Sequence, residues 1–115
     1  MSKEWMYRNL VSLGFTEIEA KVYVFLATEG PRKAREIAGA LNIHRRQLYY
    51  ILKGLKSKGV VCASFEYPAH FSAVLLERVL DILIVEQEKQ QQNLEASKTE
   101  LLSIWRYITK KTSEN

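Results

Sequence analysis

One cysteine, Cys62, stands in a chain of 115 residues, so no internal disulfide can form. With only His44 and His70 beside it there is no ligand set at metal spacing, and structural zinc is excluded with disulfide stapling. Long apolar runs are also missing: the most apolar stretch, Val79 to Val85, is interrupted by Asp81, whereas a spanning helix needs ~20 apolar positions. No apolar h-region of ~7 to 15 residues follows Lys3, Glu4 and Arg8, so no secretory signal is read. A cytoplasmic protein without membrane contacts is expected. The chain has no glycine-rich phosphate loop, no nucleophile elbow and no inward pair of carboxylates, which leaves a catalytic reading nothing to stand on. A binding protein, not an enzyme, and one without a cofactor, is the expectation.

Apolar residues make up 47% of the chain and charged residues 26%, both close to globular averages, and the length allows one domain plus one extended element. The net charge of +4 says little by itself, but its distribution says more. Residues 1 to 60 hold eleven Lys/Arg against five Asp/Glu, and residues 61 to 115 hold six against eight, so the halves carry +6 and −2. Between Gly30 and Val60 alone, eight cations face the single acid Glu36.

Met6, Leu10 and Leu13 recur at helical spacing before Gly14, which predicts a first helix over 3–13. Thr16-Glu17-Ile18-Glu19 has the form of a capping box, and Ile18, Val22, Phe25 and Leu26 continue it as one apolar face, so a second helix is predicted over 17–29, stopped by Gly30-Pro31. A third helix over 33–41 and a fourth over 44–58 have only Asn42 and Ile43 between them. That spacing predicts a helix-turn-helix, with Asn42 taking the left-handed conformation. After Gly59, β-prone runs from Val60 to Phe65 and from His70 to Ala73 flank the turn-like Glu66-Tyr67-Pro68-Ala69, a two-stranded wing. The fold expected is mainly α with a small β-hairpin: a winged helix-turn-helix over 1–74, then a long C-terminal dimerisation helix.

From Leu75 to Lys110 there is neither glycine nor proline, and at 1.5 Å per residue a helix of that length spans roughly 54 Å, longer than the domain behind it. Heptad seam positions fall on Leu76, Leu80, Leu83, Gln87, Gln90, Leu94, Ser97, Leu101, Ile104 and Ile108. A coiled-coil homodimer is expected, held by Leu80, Leu83, Leu94, Leu101, Ile104 and Ile108, with polar residues in mid-seam restricting register. The start of the helix, apolar on more than one side, is expected to pack on the winged domain as well. Residues 111–115 are expected to form a disordered tail.

The words LGFTEIEAKVYVFL (Leu13 to Leu26), GPRKAREIAGALNI (Gly30 to Ile43), RRQLYYILKGLKSKGVV (Arg45 to Val61) and YPAHFSAV (Tyr67 to Val74) together resemble the winged-helix DNA-binding domain of the TrmB family of archaeal transcriptional regulators. The resemblance covers about residues 10 to 75 and implies a dimeric, sequence-specific DNA-binding regulator. Family members usually continue into a sugar-binding effector domain, which has no counterpart here, so no small-molecule effector is expected of this chain. The family's wing commonly has basic residues after the proline, where this sequence has Ala69 and His70.

Cations crowd two expected helix starts, Arg32, Lys33 and Arg35 at the third helix and His44, Arg45 and Arg46 at the fourth, where the macrodipole disfavours them. Placed instead against phosphates they become useful. Taking Leu48 as 0° at about 100° per residue, the apolar set of the fourth helix centres near 350°, whereas Arg46, Tyr50, Lys53 and Ser57 lie at about 160°, 200°, 140° and 180°. That outward stripe nominates Arg46, Gln47 and Tyr50 for base edges, since Arg suits guanine, Gln suits adenine and Tyr packs on a thymine methyl. Arg32, Lys33, Arg35, His44, Arg45, Lys53 and Lys56 are nominated for phosphates. Gly54 is expected to leave room for the duplex, and Tyr49 to pack against the wing. Cys62 is read as a half-buried small hydrophobe, His70 as an exposed polar residue, and Trp5 and Trp105 as interface or core residues.

The function expected is that of a homodimeric regulator binding double-stranded DNA at a pseudo-palindromic site. Two alternatives stand beside it: a chromatin-like architectural protein with little sequence preference, and a winged helix serving protein contacts in a transcription complex.

Overall fold

The computed structural model of the chain describes residues 2 to 113, with side chains as far as Lys110. In chain order it contains α1 (Lys3–Ser12), α2 (Glu17–Glu29), β1 (Arg32–Lys33), α3 (Ala34–Leu41), α4 (Arg45–Ser57), β2 (Val61–Ala63), β3 (His70–Ala73) and α5 (Leu76–Ser113). This is a winged helix-turn-helix followed by a long helix. The chain divides into two units after Leu80. No described helix is long and apolar enough to cross a membrane.

Local chemistry sets the helix ends. The Ser2 hydroxyl accepts from the Trp5 N–H at 3.3 Å and opens α1. At α2 the Glu19 N–H donates to Thr16 Oγ1 at 3.1 Å and the Thr16 N–H donates to Glu19 Oε1 at 2.9 Å, the reciprocal capping box. The same carboxylate is almost fully buried and takes Lys58 Nζ at 3.2 Å on both oxygens, with the ammonium 5.8 Å above the Phe15 ring. One acid therefore caps α2 and clamps it to the C-terminal end of α4. Asn42, at φ 54° and ψ 48°, turns the chain from α3 into α4, a left-handed conformation that asparagine tolerates better than most residues.

The core of the first unit is made by Leu10, Tyr23, Leu26, Ile37, Leu48, Leu52, Leu55 and Val60, with Val79 of α5 fully buried among the same set. Each side chain of this size contributes ~1.5 to 3 kcal/mol on burial, so α2 and α4 are fixed chiefly by packing. Tyr23 adds a long-range tie, its hydroxyl donating to the Val74 carbonyl at 2.6 Å across 51 residues of sequence. Burial pushes the Tyr23 phenol pKa above its ordinary value.

Several expectations need correction. The sheet has three strands in the order β1-β3-β2, all antiparallel, not two: Arg32 pairs with Phe71 and Lys33 with His70. Arg32 and Lys33 thus lie on a strand before α3, whose first residue is Ala34, because the extended chain leaving Gly30-Pro31 finds the free edge of β3. The first hairpin strand, Val61–Ala63, is shorter than expected, whereas the second, His70–Ala73, has the expected bounds, with residues 64–69 between them. Cys62 is exposed, since β2 turns that side chain outward between Val61 and Ala63. His70 is half-buried by strand pairing on both sides, and its Nδ1 has no hydrogen-bond partner. Trp5 and Trp105 are both exposed, so neither is a core residue. The first unit takes in the start of α5 as far as Leu80, and α5 runs to Ser113, because nothing in residues 111–113 breaks a helix. The tail expected over 111–115 is therefore helical backbone to that point, and residues 114 and 115 lie outside the described residues.

Candidate nucleic-acid interface

α4 buries Leu48, Ile51, Leu52 and Leu55 and turns Arg46, Gln47, Tyr50 and Lys53 to solvent. Tyr50 is 80% exposed, an unusual position for so large an aromatic ring on a well-packed helix. The first turn of α4 contains Arg45 and Arg46 and no acidic residue. Two cations at the positive end of a helix dipole cost stability there and leave the backbone N–H groups addressed to an anion. His44 is the N-cap, its Nδ1 accepting from the Arg46 N–H at 3.3 Å. This ring nitrogen belongs to the helix itself, so only the opposite edge of His44 is available to the phosphate expected for it.

The second cluster is built by β1, α3, the start of α4 and the wing. Lys33, Arg35 and Arg45 line one cleft of about 420 Å³ together with Tyr49, Tyr67 and Pro68. Three of the nominated phosphate ligands are thus brought together from three elements, β1, α3 and α4. Tyr49, half exposed, faces the wing loop in this cleft. Arg32 is on the same strand as Lys33 but donates from Nη1 to the Pro31 carbonyl at 2.8 Å and does not line the cleft. Glu66 of the wing loop also lines it and sits 3.6 Å from His70 Nδ1.

A second groove, on the other side of α4, contains Tyr50, Lys53 and Ser57 with Thr16 and Glu19 of the α2 start. Gly54 also lines this groove, and a Cβ there would stand 3.8 Å from Glu19 Oε2, an ordinary van der Waals contact with the start of α2. Arg46, Gln47 and Lys56 are exposed and line neither groove.

Electrostatics distinguishes free from committed cations. Among the described residues, ion pairs within 4 Å occupy Lys21 with Glu17, Lys58 with Glu19 and His70 with Glu66. Arg32, Lys33, Arg35, Arg45, Arg46, Lys53 and Lys56 enter none of them. The Lys33 N–H donates to Glu36 Oε1 at 2.9 Å, and this bond, with the charges of Arg32, Lys33 and Arg35, holds the Glu36 carboxyl below the usual carboxylate range. The one acid between Gly30 and Val60 is thus engaged chiefly by the backbone at the start of α3, with the neighbouring cations adding to the effect. No group of three or more His, Cys, Asp or Glu among the described residues could hold a metal ion.

The seam nominated on α5 is exposed where it lies beyond the first unit: Leu94 is 65% exposed, Leu101 55%, Ile104 and Ile108 50%. Leu80 is at the edge of exposure and Leu83 is half-buried. The sequence reading placed the wing but gave no role to Phe65 and Tyr67 of its loop, both fully exposed, Tyr67 lining the basic cleft. Two aromatics flanking an acid in a turn were the available signal.

The family of the sugar-specific transcriptional regulator TrmB matches residues 10–77. Among solved structures the chain is similar to TrmBL2, an archaeal chromatin protein whose structure shows a novel mode of DNA binding, with a TM-score of 0.76 and 26% identity over 96% of this chain and 46% of that one. This chain therefore spans less than half the length of TrmBL2. It shares its fold with the multiple antibiotic resistance repressor MarR, at a TM-score of 0.56 and 16% identity over 95% of this chain and 84% of that one. No curated protein matches it.

Proposed function

The chain belongs to the TrmB family, and on that footing we propose that it is a sequence-specific DNA-binding transcription regulator acting as a homodimer. Family and fold are those of DNA-binding regulators and not of enzymes. The observation that carries the reading is the outward stripe of α4, Arg46, Gln47, Tyr50 and Lys53, opposite a fully packed face. A helix held by its back and bare of acids at its front is what a major groove about 12 Å wide admits. Arg46, Gln47 and Tyr50 meet base edges, while Arg32, Lys33, Arg35, Arg45, Lys53 and Lys56 take phosphates and fix the register. The winged unit is the DNA-binding part, and α5 beyond it pairs with a second copy through Leu94, Leu101, Ile104 and Ile108.

Similarity to TrmBL2, a chromatin protein, supports a second reading, in which the same surface coats DNA with little sequence preference. Selection of bound DNA from a random pool separates the two. A regulator binds its selected site ~10³-fold or more above random duplex, and a coating protein binds both alike. On the selected site, Arg46→Ala and Gln47→Ala each blur one or two base pairs per half-site by ~1 to 3 kcal/mol, whereas Arg32→Ala lowers affinity for every sequence equally. Uniform loss in the Arg46 and Gln47 variants makes the stripe a positioning surface and favours the architectural reading.

A further inference from the structure

Phe65 and Tyr67 have no apolar neighbour to cover them, at 108% and 100% exposure, the two most exposed large hydrophobic side chains of the described residues. They project from the wing loop, whose only charged residue is Glu66, and from Gly59 to Leu76 the sequence holds no Lys or Arg at all. This wing has no cation for phosphate, yet its tip borders the cleft lined by Lys33, Arg35 and Arg45. Its position is fixed relative to those cations, because β3 pairs with β1 through Lys33 and His70 as well as with β2. Were α4 seated in a major groove with the cleft over the adjoining sugar-phosphate strand, the tip would lie toward the next groove along the duplex.

We infer that Phe65 and Tyr67 form an apolar wedge that enters the flanking minor groove of duplex DNA and partly unstacks a base step. This inference rests on the DNA-binding reading above and adds the element that deforms the duplex. Aromatic and aliphatic side chains act this way when their contribution is stacking and not charge, and the resulting kink wraps the duplex onto the neighbouring cations. Glu66, 3.6 Å from His70 Nδ1, puts a carboxylate between the two rings, a charge that phosphates repel. Since both rings are already solvent-exposed, their removal does not touch the core.

The test uses the full chain and a duplex of about 30 base pairs selected from a random pool, end-labelled for energy transfer and carrying 2-aminopurine at one adenine per copy. Wild type is expected to shorten the end-to-end distance and to brighten 2-aminopurine at one or two steps flanking each half-site. The variant Phe65→Ala/Tyr67→Ala is expected to bind about tenfold more weakly, with the slope of affinity against salt unchanged and both optical signals lost. Phe65→Trp is expected to retain all three. Wild-type affinity and signals in the double alanine variant overturn the wedge while leaving the DNA-binding reading in place, and this is also the outcome if the tip serves a protein partner. A salt slope that falls with the alanine substitutions overturns it too, since the tip then acts through charge. Failure of wild type to bind duplex at about 50 mM salt removes both readings together.

Discussion

Salt dependence gives the sharpest measure of the basic face, because the structure divides its cations into free and committed ones. Arg32, Lys33, Arg35, Arg45, Arg46, Lys53 and Lys56 are outside every described ion pair, whereas Lys58 is held on both oxygens of Glu19. Each neutralised phosphate contributes about −0.9 to the slope of log affinity against log salt, so the six other than the base-reading Arg46 together give about −5 per protomer. Between about 50 and 200 mM salt, that slope corresponds to a loss of roughly 10³ in half-site affinity. Lys53→Ala is expected to make the slope shallower by about one unit without altering sequence preference, and Arg45→Ala to do the same. Lys58→Ala is expected to leave it unchanged or to make binding slightly weaker through the freed Glu19 carboxylate. Fluorescence anisotropy of a labelled duplex over that range measures all three. A slope near zero, or a Lys58→Ala change as large as that of Lys53→Ala, refutes the division into free and committed cations.

Glu19→Ala removes the acceptor of the Thr16 N–H, one half of the capping box and the partner of Lys58, and is expected to cost about 2 kcal/mol and lower the midpoint of thermal unfolding by roughly 10 °C; Lys58 is half exposed, so Lys58→Ala should cost about 0.5 kcal/mol. Calorimetry of the two variants checks the ranking. Leu94→Lys with Leu101→Lys is expected to dissociate the dimer, so that light scattering returns the 13.3 kDa of one chain, and to weaken full-site binding far more than half-site binding. Denaturation against pH should show two flanks. Tyr23 titrates higher folded than unfolded, so its contribution is complete below its ordinary pKa of 10.0 and is lost as pH rises through the folded value; Tyr23→Phe should flatten that flank. Glu36 titrates lower folded than unfolded, so its contribution is present above 4.5 and is lost as pH falls through the folded value, and Glu36→Gln should flatten the acid side.

Helix boundaries were legible because their signals are local. Thr16 and Glu19 announce a capping box three residues apart, and Asn42 is one of the few residues suited to the backbone conformation that joins α3 to α4. The exposed stripe of α4 followed from its apolar period alone. The third strand was not legible: two residues cannot display an alternation, and Arg32-Lys33 reads equally well as a helix start until β3 is present to pair with it. The neighbour of Gly54 was not legible for a related reason, since Glu19 is 35 positions earlier in sequence and only the packing of α2 on α4 sets its carboxylate 3.8 Å from where a Cβ of residue 54 would stand. The clamp of Lys58 on Glu19 was invisible in the charge count, where a committed cation and a free one look the same.

The two residues of β1 tie the wing to the segment that opens α3 instead of leaving it a flap. A hairpin tethered only at its base swings about that base, but this one is stitched along its outer strand to the segment that opens α3. Its aim is therefore inherited from the turn at Gly30-Pro31. Sequence drift at the tip changes what the wing says to its partner while leaving where it points untouched, whereas a change of one residue in the length of that turn re-aims the whole hairpin without altering a single contact side chain. Specificity in such a molecule can evolve along two separate axes, chemistry at the tip and geometry at the turn, and the second is silent to any comparison that looks only at contact residues.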